Sequence, residues 1–204
     1  MRILLATLAG GAVCYVWGVL AWLALPVHSQ TMTELPDEAA VTSALVAQNL
    51  AEGVYAVPGY PEMEADATSE DQTAAWEEFT KAHQAGPIYS IYYSPSGMTP
   101  MGPDTMGKGF ALDLLAAGLA AFIVSQLAAN GASFFVRWRT VFVMGLFTCI
   151  VAYGALWNWM AFPDRFTIDM MLDVAICWSL VGVVIAAIVR PDARLAEAAN
   201  QTDG

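Results

Sequence analysis

Residues 108–189 read KGFALDLLAAGLAAFIVSQLAANGASFFVRWRTVFVMGLFTCIVAYGALWNWMAFPDRFTIDMMLDVAICWSLVGVVIAAIV. The stretch holds three long apolar runs, parted by the Asn130-Gly131 turn and the short link Pro163-Asp164. A helix needs about 20 apolar residues to cross ~30 Å of hydrocarbon at ~1.5 Å per residue. The runs therefore predict transmembrane helices over 110–129, 134–162 and 166–189. A fourth run, Ile3 to Leu25, carries no charge and is long enough to cross as well. It exceeds the ~7–15-residue apolar core of a cleaved signal peptide. Gly11-Ala12-Val13 before Cys14 also lacks the leucine that would open a lipoprotein signal. The first span is therefore expected to stay, with residues 1–25 as transmembrane helix 1.

Composition agrees. Of 204 residues 57% are hydrophobic and only 13% charged, against about a quarter in an ordinary soluble domain. The net charge of −11 is carried largely by the segment between Glu34 and Asp104, which argues against nucleic acid or anionic lipid headgroups as partners. The three cysteines, Cys14, Cys149 and Cys177, all fall inside apolar runs, and the long loop has none. A disulfide framework belongs to water-exposed segments, so these cysteines read as small packing residues.

Orientation follows from the arginines. Arg2 precedes the first span, Arg137 and Arg139 flank the turn between the second and third, and Arg190 and Arg194 follow the fourth. With four crossings all five fall on one side, and the positive-inside rule makes that side cytoplasmic. Both termini are then cytoplasmic, residues 190–204 form a loose polar tail, and residues 26–107 lie outside. The expected setting is a bacterial inner membrane with a periplasmic insert.

Some eighty residues is too long for a bare connection. Pro36 opens a predicted helix to about Glu52, and Val54–Val57 reads as a strand ended by Pro58-Gly59. Ser69 with Gln72 resembles a capping box for a helix to about Gln84, with Trp76 and Phe79 on its buried side. Ile88 to Tyr93 is β-branched and aromatic, the clearest strand signal in the chain. The fold class is thus an all-α integral membrane protein of four transmembrane helices, with a small α+β cap inserted between helices 1 and 2. Two strands cannot stand alone, so the cap is expected to lean on helix ends or on a partner.

Trp17-Gly18, Trp22, Leu25-Pro26-Val27-His28, Gly53-Val54-Tyr55 and Gly86-Pro87, before the strand closed by Pro95-Ser96-Gly97-Met98, carry a resemblance. The chain resembles a family of small bacterial four-span inner-membrane proteins without an assigned activity. That resemblance implies topology only.

Three residue groups could carry chemistry. Asp113, Asp169 and Asp173 lie inside spans, where an ionisable side chain costs ~2.5–3.5 kcal/mol near the bilayer centre and normally has a partner or a task. Asp169 and Asp173 share a helix face, and Asp113 is expected at similar depth, with Lys108, Arg165, Asn158 and His28 within reach. The group reads either as a proton or cation site or as a structural network tying helices together. Met98, Met101 and Met106 cluster before the second span, with Met63 and His28 or His83 as possible neighbours. Thioethers suit Cu(I), while an apolar surface linker explains the same residues. Tyr92, with Trp76, is the expected partner contact among the cap aromatics Tyr55, Trp76, Tyr89, Tyr92 and Tyr93.

No phosphate loop, dinucleotide fingerprint, zinc-protease motif or serine nucleophile elbow is present, and two histidines leave little for haem or zinc. No cofactor and no enzymatic activity are expected. Ala6, Gly10, Cys14 and Gly18 form a small-residue stripe that admits another helix closely. The sequence points to an accessory or stabilising subunit of a larger membrane complex, an energy-converting one being one option within that class, in contact with lipid and other integral subunits. The alternatives are a small channel or transporter using the aspartates, and a periplasmic copper-binding protein.

Overall fold

The computed structural model describes residues 1–192. The expected tail falls largely on residues 193–204, Arg194 among them, which lie outside the described residues. The chain is 68% helical and divides into two units, one of residues 1–33 and 99–204 and one of Glu34–Met98.

Among the described residues the first unit holds four helices long and apolar enough to cross a membrane. They are α1 (Arg2–Leu23), α4 (Pro103–Ala129), the helix Phe134–Met160 and α7 (Asp164–Ile188). The third is composite: α5 (Phe134–Thr148), a π-helical segment Cys149–Gly154, and α6 (Ala155–Met160). A short 3-10 turn, Pro26–His28, follows α1. Ser133 caps α5 by accepting from the Val136 N–H. The cap position of α7 is Pro163, and Asp164 stands inside the first turn. There its carboxylate favours the helix dipole and accepts a hydrogen bond from Trp157 Nε1 at 2.6 Å. The second span begins earlier than its apolar run, at Pro103, because proline suits the first turn of a helix.

α1 packs against both α4 and α7, and α5 packs on α7. Their shared interior is built from small side chains, including Ala6, Ala117, Ala120 and Ala121, with Val124, Val141, Val181 and Ile185 as the largest fully buried ones. The large apolar residues face outward, as Leu112, Leu115, Leu119 and Phe122 do along one face of α4. Small residues inside and large ones outside is the arrangement of helices that approach closely where hydrocarbon can take the exterior. At the α5–α7 crossing a Cβ on Gly145 would stand 2.5 Å from Trp178 Cβ, and one on Gly182 3.2 Å from Trp138 Cδ1. Each glycine therefore seats an indole of the opposite helix. Trp138 Nε1 also donates to Ser179 O at 3.1 Å.

Arg2, Arg137 and Arg190 gather at one end of this unit. Arg2 donates to Arg190 O at 3.0 Å. Arg137 is buried and donates to the carbonyls of Ala132 and Ala186, the latter in the last turn of α7. A helix leaves its final carbonyls without internal partners, and the guanidinium satisfies one of them.

The second unit holds α2 (Glu38–Ala47), β1 (Gly53–Val57), α3 (Ser69–Ala85) and β2 (Tyr89–Tyr93). β1 and β2 pair antiparallel with Val54 opposite Tyr92 and Tyr55 opposite Ile91. Asp37, not Pro36, begins α2, since its carboxylate accepts from the Ala40 N–H at 2.9 Å. The capping box of α3 is Thr68 with Asp71, one position before the Ser69 and Gln72 expected. A carboxylate accepts a backbone N–H more strongly than an amide does, which sets the register. No residue between Glu34 and Met98 is buried. Trp76 and Phe79 were expected on a buried side of α3, yet Trp76 is 49% exposed and Phe79 only partly covered, stacked on Tyr60.

Candidate functional site

At the end of the helical unit opposite Arg2, Arg137 and Arg190, the chain turns through Pro26–His28 and lays His28 and Thr31 onto α7. Both residues are buried. The turn is set by Pro26 at its first position, whose fixed φ favours such a start. Trp22 stacks on the imidazole, with centroids 3.9 Å apart and planes 12° from parallel.

A continuous set of polar contacts results. Trp17 Nε1 donates to Asp173 Oδ1 at 2.5 Å. Asp173 Oδ2 lies 3.2 Å from His28 Nε2, and His28 Nδ1 lies 3.1 Å from Thr31 Oγ1. Thr31 Oγ1 donates to Asp169 Oδ2 at 2.8 Å, and Arg165 Nε donates to the same oxygen at 2.8 Å. Proton counting constrains this set. A threonine hydroxyl has one proton, and here Asp169 receives it. His28 Nδ1–H must then donate to Thr31 Oγ1. A further proton is needed between His28 Nε2 and Asp173 Oδ2, because two lone pairs would otherwise face each other. With that proton on either atom, the Arg165–Asp169 pair and the His28–Asp173 pair are bridged by one hydroxyl, and the set carries no net charge. His28, Thr31 and Asp169 are buried while Arg165 reaches the surface, and buried polar groups of this kind persist only when they are mutually satisfied.

The third aspartate sits elsewhere. Asp113 Oδ1 accepts from Cys14 Sγ at 3.3 Å, and Cys14 Sγ lies 3.1 Å from Cys177 Sγ. Cys177 is two helical turns, about 12 Å, beyond Asp169 along α7. Asp113 is therefore deeper than Asp169, not level with it as expected. The two clusters are stacked along the α1–α7 contact: Cys14 faces Cys177, and one turn on Trp17 faces Asp173. The cysteines are free thiols.

Two expected members do not join. Lys108 pairs with Asp104 at 2.7 Å on the exposed surface of α4, an i,i+4 pair of little energetic weight. Asn158 is exposed on α6. The π segment Cys149–Gly154, unexpected from the sequence, packs on α7, where Cys149 Sγ donates to Met171 O at 3.3 Å.

Met98 and Met101 are exposed, and Met106 is partly covered. Met98 belongs to the Glu34–Met98 unit and the other two to the helical unit. Among the described residues no group of three or more His, Cys, Asp or Glu is arranged to hold a metal ion. In the sheet, Val54 and Tyr92 face each other and are 60% and 63% exposed, while Tyr55, Ile91 and Tyr93 are partly covered.

Comparison with protein-family models, with curated proteins and with solved structures finds no match.

Proposed function

We propose that the chain is a non-catalytic integral membrane protein that serves as an accessory or stabilising subunit of a larger membrane assembly, docking on it through the Glu34–Met98 unit. The carrying observation is that this unit has secondary structure but no buried residue of its own. A domain of ~60 residues normally hides about 60% of its surface, and an isolated two-stranded sheet is marginal. The exposed Val54 and Tyr92 pair, with Trp76, offers apolar anchors of the kind that dominate interfaces. Eleven acidic residues against Lys81 in the same segment favour a partner surface carrying positive charge.

The small-residue stripe does not supply the docking face. Ala6 and Gly10 are covered within the chain, where a Cβ on Gly10 would meet Ile185 at 3.2 Å and Ala117 at 3.3 Å; only Gly18 is open. By the positive-inside argument the arginine end is cytoplasmic and the Glu34–Met98 unit periplasmic, in a bacterial inner membrane. Gentle solubilisation of native membranes, affinity capture of the full chain and identification of co-purifying subunits test the reading. Stoichiometric recovery of another membrane protein is expected; a monomer with no companion would overturn it.

A second reading has its own support. The proton required between His28 and Asp173, inside four apolar helices, suits a proton- or cation-handling site. Proteoliposome flux abolished by Asp173→Asn would favour it, and flux unaffected by that change would remove it.

A further inference from the structure

We propose that Cys14 and Cys177 form an intramembrane dithiol that hydroperoxides oxidise to a disulfide, with Asp113 accepting the first proton. The juxtaposition comes from three helices. Cys14 is near the middle of α1, Cys177 near the middle of α7, and Asp113 in α4. Their atoms form a chain of contacts, Asp113 Oδ1 to Cys14 Sγ at 3.3 Å and on to Cys177 Sγ at 3.1 Å. The sulfurs need approach by only about 1 Å to reach disulfide bonding distance. Cys149, on the π segment, gives its thiol hydrogen to Met171 O instead. It serves as an internal control.

The carboxylate distinguishes this pair from two cysteines that merely pack. A thiolate is the competent nucleophile, yet a bare anion is poorly accommodated in a low-dielectric interior. The proton must leave as the sulfur attacks, and Asp113 is positioned to take it. Cys14 is partly exposed and Cys177 is buried, which makes Cys14 the attacking residue and Cys177 the resolving one. The oxidant must be small, uncharged and able to enter the bilayer. Hydrogen peroxide and lipid hydroperoxides meet that description.

The chemistry balances in two steps. Cys14 Sγ attacks a peroxide oxygen while its proton passes to Asp113. The O–O bond breaks, an S–O bond forms, and the departing hydroxide takes the proton from Asp113 as water. Cys14 is then a sulfenic acid. Cys177 Sγ attacks Cys14 Sγ, an S–S bond forms and the S–O bond breaks, and the leaving hydroxide takes the Cys177 proton as a second water. Two thiols are oxidised by two electrons, and hydrogen peroxide is reduced to two waters; with a lipid hydroperoxide the first leaving group is an alkoxide, which takes the proton from Asp113 to give an alcohol, and the second step gives the one water. The product ties α1 to α7 beside the Trp17–Asp173 bond.

The test uses the full chain in native membranes, exposed to graded hydrogen peroxide, quenched, denatured and labelled with a maleimide polymer that shifts the band once per free thiol. Three labels are expected before treatment and one after, with the remaining label on Cys149. Peptide mass spectrometry should show a reducible Cys14–Cys177 link within one chain. Asp113→Asn should slow loss of the two labels by a factor of at least ~10. Retention of all three labels, loss of Cys149 first, or a link between chains would overturn the pair. An unchanged rate in Asp113→Asn would overturn the role given to that carboxylate. The wild-type mass spectrum decides the pairing even if a variant fails to fold.

Discussion

His28 Nε2 stands 3.2 Å from Asp173 Oδ2, joining the turn after the first long helix to the middle of the last across 145 positions of sequence. The contact closes one end of the α1–α7 seam. Trp17 reaches the other carboxylate oxygen, so a single side chain holds both the helix and the turn that follows it.

Removing that side chain should loosen the seam. Asp173→Ala leaves Trp17 Nε1 and His28 without their acceptor and should cost ~0.5–2 kcal/mol, the range seen for polar contacts between membrane helices. Asp173→Asn keeps an acceptor for Trp17 and should cost less. Unfolding by titrated SDS, followed by tryptophan fluorescence, reads both. Equal stability of wild type and Asp173→Ala would mean the contact carries nothing.

The glycines of the α5–α7 crossing should be intolerant. In Gly145→Ala the new methyl meets Trp178 Cβ, an atom fixed to backbone that cannot swing away. A loss of ~1–3 kcal/mol is expected, as for other overpacked sites. Gly18→Ala has nothing within 4 Å and should move stability by no more than ~1 kcal/mol in either direction. The same SDS titration compares the two.

Arg137→Ala should uncover the carbonyls of Ala132 and Ala186 at the far end of the unit. Loss of one satisfied buried carbonyl costs ~1–3 kcal/mol. Arg137→Lys restores charge but not the two-pronged reach, so it should recover only part of the loss. Amide exchange at residues 186–189 should rise in both variants.

Acid should act on the cap of α3 in a predictable direction. The Thr68 hydroxyl donates to Asp71 Oδ2 at 2.6 Å and the Thr68 N–H donates at 3.0 Å, holding the carboxyl below its ordinary 3.8. The folded value lies under the unfolded one. The cap's contribution is therefore complete above the unfolded value and is lost as pH falls through the folded one. A carboxyl-carbon NMR titration of the full chain should place the Asp71 midpoint below 3.8, returning toward it in Thr68→Val. A wild-type midpoint at 3.8 would contradict the capping geometry.

Tyr92→Ala should weaken co-purification of a docked partner by about tenfold or more while leaving thermal stability unchanged, since an exposed aromatic supports contact and not a core. Equal recovery of the partner would place the interface elsewhere.

The four long helices were legible because uninterrupted apolar runs leave a chain few alternatives. The caps were nearly so: Ser69-Gln72 and Thr68-Asp71 both fit the pattern, and only the stronger acceptor separates them. The site was legible in part. Asp169 and Asp173 share a face by spacing alone, but no local pattern pairs Asp173 with His28 or Cys14 with Cys177. Those contacts depend on α1 lying against α7, a tertiary fact. Lys108 was drawn to the nearer Asp104, a local partner that outcompetes a distant cluster. The aspartates were assigned one level because Asp113 was placed by distance from its own run, whereas its helix begins seven residues before that run at Pro103.

The π segment leaves a consequence for how the third long helix is phased. A wide turn acts as one residue inserted into a regular helix, and each residue of an α-helix advances by about 100°. Whatever follows Gly154 is therefore rotated by roughly that angle from where an unbroken helix would have carried it. Trp157 reaches Asp164 at 2.6 Å from this rotated position. Deleting a single residue between Cys149 and Gly154 would wind the segment back into register and swing the indole away from the carboxylate. The irregularity thus works as a vernier, setting the azimuth of the last six residues of that helix independently of the fifteen that begin it.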